Sequence, residues 1–326
     1  MTEQQKKIHD FSKTQVLVIG DIMIDQYWFG DVNRVSPEAP VPVVDLQKIE
    51  NRLGGAGNVA INLKAMGANV DVIGITGHDE NGKEMIRLLE KESIGNQFII
   101  PSSDRRTTVK SRVMAHGQNL LRIDQEDCMP LSKLEWTNFI STFSNYTSQH
   151  KPDIIILQDY NKGLLIPDSI QFVINYANQH GIPTIVDPKK DHFFQYKGCT
   201  LFKPNKKEVL EAFGEKVDVN LRIINEQLLN KLQNKYNFIT LGAEGIFVGS
   251  KIEQNIYETQ RMNVIDVCGA GDTVIAILAL YWTKSLPSST LARLANIAGG
   301  QVCGVVGVAP IQKTSFLEEV FNQQII

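Results

Sequence analysis

Residues 266–272 of this chain read Asp-Val-Cys-Gly-Ala-Gly-Asp, which is the composition of an anion-binding turn that ends in an acid. Glycines allow a backbone to turn its N–H groups onto an anion, and the apolar segment from Thr273 to Trp282 predicts a helix whose N-terminus adds positive potential there. A carboxylate beside a bound phosphate repels it unless the carboxylate has a proton to accept. We therefore interpret Asp272 as a general base for a hydroxyl group that attacks phosphorus, next to a phosphate cradle at 269–271.

Helix capping is the alternative interpretation of the same letters. An acid in the first turn of a helix can simply accept hydrogen bonds from the free N–H groups there. Because short motifs also occur by chance, Asp272 alone does not decide between base and cap. The decision depends on which other ligand-binding residues the chain carries.

Two groups of residues near the N-terminus are suited to binding sugar hydroxyls. The glycine-rich segment at 54–57 precedes Asn58, whose amide can both donate to a hydroxyl and accept from one. Asp25 lies just beyond the end of a predicted strand, where a carboxylate can accept hydrogen bonds from two neighbouring hydroxyls. A glycine-rich turn with an Asn cap, and a solvated loop acid, explain the same residues without a ligand.

Residues in the second half of the chain are suited to a nucleotide and its metal ion. Asn205 and Glu208 lie at a predicted helix start and could order a hydrated Mg²⁺, although an Asn cap with a first-turn Glu explains them equally well. Thr240, Gly242 and Gly245 follow a predicted strand. Backbone contact with nucleotide phosphates and a simple tight turn are the two alternatives for that segment.

The predicted elements alternate between strands and helices. Short apolar runs predict strands at Val16 to Gly20, Val70 to Ile75, Asp153 to Leu157, Thr184 to Asp187 and Phe238 to Leu241, and periodic patterns predict helices at about 58–67, 80–93, 132–147, 167–180, 206–213 and 221–235. Such alternation predicts a parallel sheet covered on both faces. Ligands of these sheets bind beyond the carboxyl ends of the strands, where Asp21, Gln158-Asp159, Asp187-Pro188 and Gly242 fall.

Two segments, at about 26–50 and 107–124, interrupt this alternation because they predict strands with no helix between them. We expect them to form a small sheet set apart from the main one. With apolar residues on both faces, such a sheet could cover a site as a lid and pair with a second subunit.

The composition indicates a globular protein and argues against two classes of partner. The chain has 326 residues, of which 43% are hydrophobic, with a net charge of −3 and a pI of about 6.1. This balance argues against a general nucleic-acid or anionic-membrane binder, so a positive site has to be local. The polar N-terminus lacks the apolar core of a secretion signal, and the apolar run near Val274 to Trp282 is too short to span a bilayer, which predicts a cytoplasmic protein.

The four cysteines, Cys128, Cys199, Cys268 and Cys303, show no spacing suited to zinc, so we interpret them as buried or loop thiols. Cys268 is the one within a candidate site. A packing role is favoured there, because a phosphate cradle uses backbone groups and needs no thiol.

Taken in order, the motifs at 54–58, 205–208, 240–245 and 266–272 resemble those of the ribokinase-like, or PfkB, carbohydrate kinases, over about the whole chain from Val16 to Val308. The resemblance implies a three-layer α/β sandwich with a mostly parallel central sheet and a small β-sheet lid, in one kinase domain over 1–326. It also implies ATP and Mg²⁺ as cofactors.

The resemblance further implies roles for individual residues. Asp272 would be the catalytic base, and Gly269, Ala270 and Gly271 would form the anion hole. The sugar would contact Asp21, Asp25, Gly54, Gly55, Asn58 and Asp159, and the nucleotide would contact Asn205, Glu208, Thr240, Gly242, Gly245 and Asn296, with the metal near Asn205 and Glu208 through water or phosphate. The family usually has Thr where Cys268 stands, which leaves the backbone role intact but puts a hydroxyl contact in doubt.

Longer segments resemble one branch of that family, the kinases of D-glycero-β-D-manno-heptose 7-phosphate. They are Gly20 to Trp28, Arg34 to Val43, Lys110 to Arg112, Gln118 to Asp124 and Asp159 to Gly163. This resemblance implies phosphorylation of the anomeric C1 hydroxyl, a step towards ADP-heptose and the lipopolysaccharide core. A substrate that already carries a phosphate would also explain a local cluster of cations, namely Lys110, Arg112, Arg122 and Lys162, which otherwise are solvated charges on a sheet edge.

Two alternatives stay open at this point. One is another sugar kinase of the same fold, acting on ribose, fructose or a nucleoside, which would not need the cations. The other is a non-catalytic sugar-sensing protein. Because the chain ends at Ile326 without a His-x-Gly-His nucleotidyltransferase motif, we expect a stand-alone kinase that works beside a separate nucleotidyltransferase and a phosphatase. The apolar lid predicts a homodimer.

Overall fold

The computed structural model describes residues 3–214, 220–259, 265–305 and 307–326. The strands of these residues are β1 (Gln15–Gly20), β2 (Ile22–Val35), β3 (Pro42–Gly55), β4 (Asn69–Gly77), β5 (Ile99–Ser102), β6 (Val109–Ala115), β7 (Gln118–Gln125), β8 (Ile154–Gln158), β9 (Thr184–Asp187), β10 (Leu201–Phe202), β11 (Tyr236–Thr240), β12 (Ile246–Gly249) and β13 (Gln254–Tyr257). The helices are α1 (Glu3–Ile8), α2 (Ala56–Ala65), α3 (Glu80–Lys91), α4 (Lys133–Gln149), α5 (Pro167–Gln179), α6 (Lys206–Phe213), α7 (Leu221–Leu232), α8 (Ala270–Trp282), α9 (Ser288–Cys303) and α10 (Lys313–Asn322).

The main sheet is mostly parallel. Nine of the described strands form it, in the order β13-β12-β11-β10-β9-β8-β1-β4-β5. Neighbours from β11 to β5 pair in parallel, whereas β12 is antiparallel to both β11 and β13 at one edge. Parallel strands need crossover connections, and here these are the helices that cover the sheet.

Strand β1 shows how the sheet divides the hydrophobic core in two. Val16 and Val18 pack in one buried cluster with residues of α2, α8 and α9, whereas Leu17 and Ile19 pack in the other with residues of α4, α5 and α7. Successive side chains of a strand point to opposite faces, so a strand buried on both faces has to be apolar at every position. This is why the sequence predicted the central strands from uninterrupted apolar runs.

Helix α8 is held rigidly inside one of these layers. All its residues from Asp272 to Tyr281 are buried, and it packs between α9 and α2. A helix that is buried all round has to be apolar all round, which explains the run Thr273 to Trp282. The N-terminus of α8 is therefore a fixed point beside the carboxyl ends of the sheet strands.

A second sheet, which we call the lid sheet, has the described strand order β3-β2-β6-β7. Strands β2 and β6 pair in parallel, and the other two pairs are antiparallel. The register sets Asp25 opposite Lys110 and Tyr27 opposite Arg112 on neighbouring strands, so these side chains share one face of the pleat. Trp28 lies on the opposite face.

The structure confirms the predicted α/β sandwich and its small second sheet. The segments predicted at about 26–50 and 107–124 lie in β2, β3, β6 and β7. Strands β5, β10 and β13 and helices α1, α9 and α10 were not predicted. In the described part of the chain, no helix is both long enough and apolar enough to cross a membrane.

Candidate active site

The first turn of α8 forms one wall of the candidate active site. Gly269 precedes the helix with a φ of 80°, a left-handed conformation that favours glycine. A methyl group added there would also lie 2.8 Å from Asn58 Nδ2, so the position has no room for a side chain. The N–H groups of a first helical turn lack partners within the helix, and the turn is therefore suited to bind an anion.

Asp272, in this first turn, is buried, and its oxygens accept hydrogen bonds from three side chains. Asn58 Nδ2 donates to Oδ2 over 2.7 Å, and Gln158 Nε2 and Tyr160 Oη donate to Oδ1 over 3.0 and 2.8 Å. A capping acid would instead accept from backbone N–H groups of its own helix. The arrangement brings the predicted base together with Asn58, a predicted sugar-binding residue.

Burial dominates the electrostatics of Asp272. It raises the pKa of the carboxyl group to about 7, and the nearby Asp187 carboxylate acts in the same direction, while the hydrogen bonds from Asn58 and Tyr160 and the charge of Lys203 oppose it. A carboxylate whose pKa lies near neutrality can take a proton and release it again, which suits a general base.

A buried ion pair lies directly beneath the cradle. Lys203 Nζ is 3.0 Å from Asp187 Oδ2, and both side chains are almost fully buried. Gln158 Nε2 lies 3.2 Å from that Asp187 oxygen and so links the ion pair to Asp272. A methyl group added at Gly271 would lie 3.7 Å from Lys203 Nζ. The same methyl group would lie 3.9 Å from Asp187 Oδ2, so a buried ion pair, and not an isolated cation, lies behind the backbone N–H groups of the cradle.

A cavity of about 740 Å³ opens in front of the cradle and is large enough for a nucleotide. Its walls include every residue predicted to bind the nucleotide, namely Asn205, Glu208, Thr240, Gly242, Gly245 and Asn296, together with Gly269, Ala270, Gly271 and Asp272. The Asn296 amide donates to the backbone oxygens of Tyr257 and Glu258. The cavity thus joins the predicted nucleotide residues to the predicted base in one space.

Asn205 and Glu208 form a capping box at the start of α6. The Asn205 side chain accepts from the Glu208 N–H over 2.8 Å, and the Glu208 carboxylate accepts from the Asn205 N–H over 2.8 Å and also pairs with Lys189. Burial and the nearby Asp187 raise the pKa of Glu208. Glu208 also lines the cavity, so a role in the helix cap is compatible with a role in binding a hydrated metal ion.

The residues at this wall, Asn205 and Glu208, fit a metal ion that is bound mainly through phosphates and waters. Among the described residues, no group of three or more His, Cys, Asp or Glu side chains could hold a metal ion by itself. Mg²⁺ commonly keeps several waters and binds through one carboxylate and substrate phosphates. Glu208 supplies such a carboxylate, so the residues fit an ion that arrives with a nucleotide.

Asp25 meets Arg112 in a buried ion pair at the base of the lid sheet. The second carboxylate oxygen of Asp25 packs against Gly54, where a Cβ atom would collide with it. The Arg112 guanidinium also lies over the ring of Tyr27, 5.4 Å from its centroid. The structure thus brings together two predicted sugar-binding residues and one of the predicted phosphate ligands.

The other predicted phosphate ligands pair with lid carboxylates. Lys110 Nζ lies 3.1 Å from Asp124 and 2.9 Å from Glu126, and Lys162 Nζ lies 2.9 Å from the second Glu126 oxygen. Arg122 pairs with Asp124 but is 57% exposed, which sets it at the rim. Lys110, Lys162 and Glu126 therefore form a compact cluster that a phosphate could enter by replacing a carboxylate. Whether it does so stays a prediction.

Asp21 and Asp159 bind the protein's own groups. The Asp21 carboxylate accepts from the backbone N–H groups of Tyr160, Lys162 and Leu164, and Asp159 accepts from the Asn161 N–H and the Tyr196 hydroxyl. Burial and the charge of Asp159 raise the pKa of Asp21 to about 6. These bonds fix the loop after β8, so both acids support the predicted site from behind. Their contact with a substrate stays a prediction.

Asp266 ties the start of the motif to the chain after α9. Its oxygens accept from the backbone N–H groups of Cys268 and Gly307 over 3.0 and 2.9 Å. The Cys268 side chain is half-buried, and burial and the charge of Asp266 raise the pKa of its thiol. A protonated thiol agrees with the packing role predicted for Cys268.

Five side chains at the centre of the site were assigned no chemical role from the sequence: Gln158, Tyr160, Asp187, Lys189 and Lys203. Each lies at or just after the carboxyl end of β8, β9 or β10. That position is where parallel sheets bind ligands, so it indicated the place for Gln158 and Asp187. It did not indicate which of these side chains would touch the base.

The family comparison matches nearly the whole chain. A family model described as pfkB family carbohydrate kinase matches residues 13–314. A protein of Bordetella bronchiseptica named D-beta-D-heptose 7-phosphate kinase is 38% identical over 301 residues, which are 92% of this chain and 94% of that protein. A bifunctional protein HldE of Sulfurimonas denitrificans is also 38% identical over 301 residues. Those residues are 91% of this chain but only 62% of that longer relative.

Solved structures agree on the fold. The phosphofructokinase-2 from Escherichia coli in complex with potassium superposes with a TM-score of 0.80 at 16% identity, covering 95% of this chain and 99% of that one. A putative ribokinase from Agrobacterium tumefaciens superposes with a TM-score of 0.72 at 16% identity, covering 96% and 98%. The ribokinase-like fold that the sequence resemblance implied is thereby confirmed.

Proposed function

Because the chain belongs to the pfkB family of carbohydrate kinases, we propose that it transfers the γ-phosphate of ATP to the anomeric C1 hydroxyl of D-glycero-β-D-manno-heptose 7-phosphate. The products are the 1,7-bisphosphate and ADP. The heptose 7-phosphate is supported by the relative of Bordetella bronchiseptica, which is named D-beta-D-heptose 7-phosphate kinase and aligns along almost its full length. The manno configuration and the C1 hydroxyl come from the sequence resemblance.

One observation carries the proposed chemistry. Asp272 is buried at the N-terminus of α8, with the nucleotide-sized cavity on one side and Asn58 on the other. A carboxylate in this place would repel the phosphates unless it takes up a proton during the reaction. Its pKa of about 7 supports that use, because a general base is most effective when its pKa lies near the working pH.

The reaction then needs little chemistry beyond positioning and electrostatics. Asp272 accepts the proton of the C1 hydroxyl as its oxygen attacks the γ-phosphorus. The backbone N–H groups of the cradle stabilise the negative charge on the transferred group, and the Lys203–Asp187 ion pair lies behind them. The capping box of Asn205 and Glu208 holds the opposite wall of the cavity.

Mg²⁺ is the metal that this donor set suits, near Asn205 and Glu208 and through phosphate or water. When bound, the ion would neutralise part of the negative charge of the phosphates. We expect the protein to work in the cytoplasm, where ATP is available.

The lid sheet supports a phosphorylated substrate. Its face towards the site carries Asp25 and Arg112, and Lys110 and Lys162 lie beside them around Glu126. Asp25 and Asn58 are suited to the sugar hydroxyls, and the two lysines to the distal phosphate. A kinase of ribose, fructose or a nucleoside would have no use for these lysines.

An ADP-release assay over a panel of sugars and sugar phosphates, followed by phosphorus NMR of the product, tests the proposal. We expect turnover with heptose 7-phosphate far above that with ribose, fructose or unphosphorylated heptose, and a new phosphate on C1. Faster turnover with an unphosphorylated sugar would refute the proposed substrate but would still show a sugar kinase activity. Calorimetric sugar binding without ADP release on any sugar would favour the sugar sensor.

A further inference from the structure

The residue Tyr160, which the proposed reaction does not use, touches the base from the wall of the cavity. Its hydroxyl donates to Asp272 Oδ1 over 2.8 Å, and its ring carries Lys189 Nζ at 5.3 Å from the centroid. The backbone N–H of Tyr160 is in turn fixed by Asp21 over 2.8 Å. The side chain is therefore held at both ends, by a buried carboxylate behind it and by the base in front of it.

The two oxygens of Asp272 differ in how many donors they have. Oδ1 accepts from Tyr160 and from Gln158, whereas Oδ2 accepts from Asn58. Gln158 cannot turn its amide away, because its Nε2 group also donates to Asp187 Oδ2. Since each carboxylate oxygen has about two lone pairs, Oδ1 is full and Oδ2 has one place left.

We propose, on the basis of the function proposed above, that Tyr160 is a positioning residue for the reaction: together with Gln158 it holds Oδ1 of Asp272 and leaves Oδ2 to take the sugar proton. In the transfer step, the O–H bond of the C1 hydroxyl breaks, its proton bonds to Oδ2, and the oxygen forms its bond to the γ-phosphorus while ADP leaves. Tyr160 keeps its own proton throughout, as the strongly raised pKa of its buried phenol requires.

Tyr160 then has a measurable effect on the base. A hydrogen bond donated to a carboxylate favours its charged form, so loss of the phenol has to raise the pKa of Asp272. The charged groups that face Asp272 are Asp187 at the end of β9, Lys189 in the following loop and Lys203 after β10. Tyr160→Phe leaves all three in place, because it keeps the ring under Lys189. The neutral partners Asn58 and Gln158 also remain.

The test is the pH dependence of kcat for wild type and Tyr160→Phe with saturating ATP and heptose 7-phosphate. We expect the ascending limb of kcat to move to higher pH by about one pH unit in the variant, with the KM for ATP nearly unchanged. Ionisation of the substrates is the same for both proteins and cancels in the comparison. The matched control is Tyr196→Phe, which removes a buried phenol from Asp159 instead, and its limb should stay at the wild-type pH.

A limb that stays in place in Tyr160→Phe would overturn the proposal, because it would mean that the hydroxyl leaves Asp272 when the sugar binds. If Tyr160→Phe does not fold, 3-fluorotyrosine at the same position keeps the shape and makes a stronger donor, so the limb should move to lower pH. Carbon NMR of aspartate carboxyl groups, assigned with Asp272→Asn, measures the same pKa without turnover. If the pKa of Asp272 rises in Tyr160→Phe but neither protein phosphorylates any sugar, the contact between Tyr160 and the carboxylate is supported and the proposed function is refuted.

Discussion

Asn58 donates a hydrogen bond of 2.7 Å to Asp272, although the two residues are 214 positions apart in the chain. Asn58 lies near the start of α2, which follows the lid strand β3, and Asp272 lies in the first turn of α8. Helices α2 and α8 pack against each other, so the bond is set by the core of the fold. A predicted sugar ligand and a predicted base thus meet at one point, and both predictions can be tested there.

The first prediction concerns the base itself. Asp272→Asn keeps the size of the side chain but cannot accept the sugar proton, so we expect kcat to fall by about 10²–10⁴. The rate is measured by ADP release and folding by circular dichroism. Asp168→Asn is the control, since Asp168 also lies in the first turn of a helix but is exposed. A folded Asp272→Asn protein with most of its turnover would exclude Asp272 as the base.

The second prediction concerns pH and stability. The pKa of Asp272 is raised in the folded protein to about 7 from 3.8. Such a group contributes stability that is complete below the unfolded pKa and is lost as pH rises through the folded pKa. This stability should therefore be lost progressively as pH rises from 3.8 to about 7, whereas the rate should rise with pH through about 7 because the base becomes deprotonated there.

Thermal melts of wild type and Asp272→Asn across this pH range check the sign. We expect the Tm of Asp272→Asn to increase relative to that of wild type as pH rises, because the variant has no buried carboxylate that becomes charged. A gap between the two melting temperatures that does not change with pH would show that the pKa of Asp272 is not raised.

The third prediction concerns the cradle. Gly269→Ala forces a side chain into a left-handed conformation and against Asn58, so we expect turnover to be almost lost. Gly214→Ala is a matched control, because Gly214 has a φ of 70° at the end of α6 and nothing within 4 Å of the added methyl group. Both variants should lose about 1–2 kcal/mol of folding free energy to the same backbone strain. Equal turnover in the two variants would contradict a special role for Gly269.

The site residues differ in how far the sequence could predict them. Asp272 and the Asn205 and Glu208 pair belong to local patterns, a glycine turn and a helix start, which can be read from a few letters. The pairing of Arg112 with Asp25 depends on the register of β2 and β6, which no local pattern encodes. For the same reason, the sequence indicated the edge where Gln158 lies but not its bond to Asp272.

Element length explains the errors in the fold. Strand β10 has two residues, too few to show a periodicity, and Lys203 was therefore not assigned to a strand end. Strands of the main sheet such as β8 were predicted because burial on both faces demands an apolar run.

The fourth prediction concerns the outer face of the lid sheet. Ile49, Trp28, Val113 and Leu121 are direct neighbours across its four strands, and Ile49 and Leu121 are 50% and 57% exposed. An apolar row of this kind suits a second copy of the chain. We expect light scattering to show a dimer for wild type and a monomer for Leu121→Glu. Ile252→Glu, at a turn where Ile252 is 94% exposed, should remain a dimer. A monomeric wild type would refute the prediction.

The fifth prediction concerns the distal phosphate of the substrate. Lys162 is only 14% exposed and pairs with Glu126 over 2.9 Å, so a phosphate that binds it competes with that carboxylate. We expect Lys162→Ala to raise the KM for heptose 7-phosphate by about 10-fold, the size of one lost charged hydrogen bond, and the KM for ATP far less.

The control for Lys162→Ala is Lys48→Ala, which removes an exposed lysine of the lid sheet that pairs with Glu50. Its KM values for both substrates should match those of wild type. The decisive comparison uses unphosphorylated heptose, because Lys162→Ala should weaken the preference for the phosphorylated sugar while leaving turnover of the plain sugar nearly unchanged. Equal effects on both sugars, or on sugar phosphate and ATP, would show that Lys162 supports the lid and does not bind the phosphate.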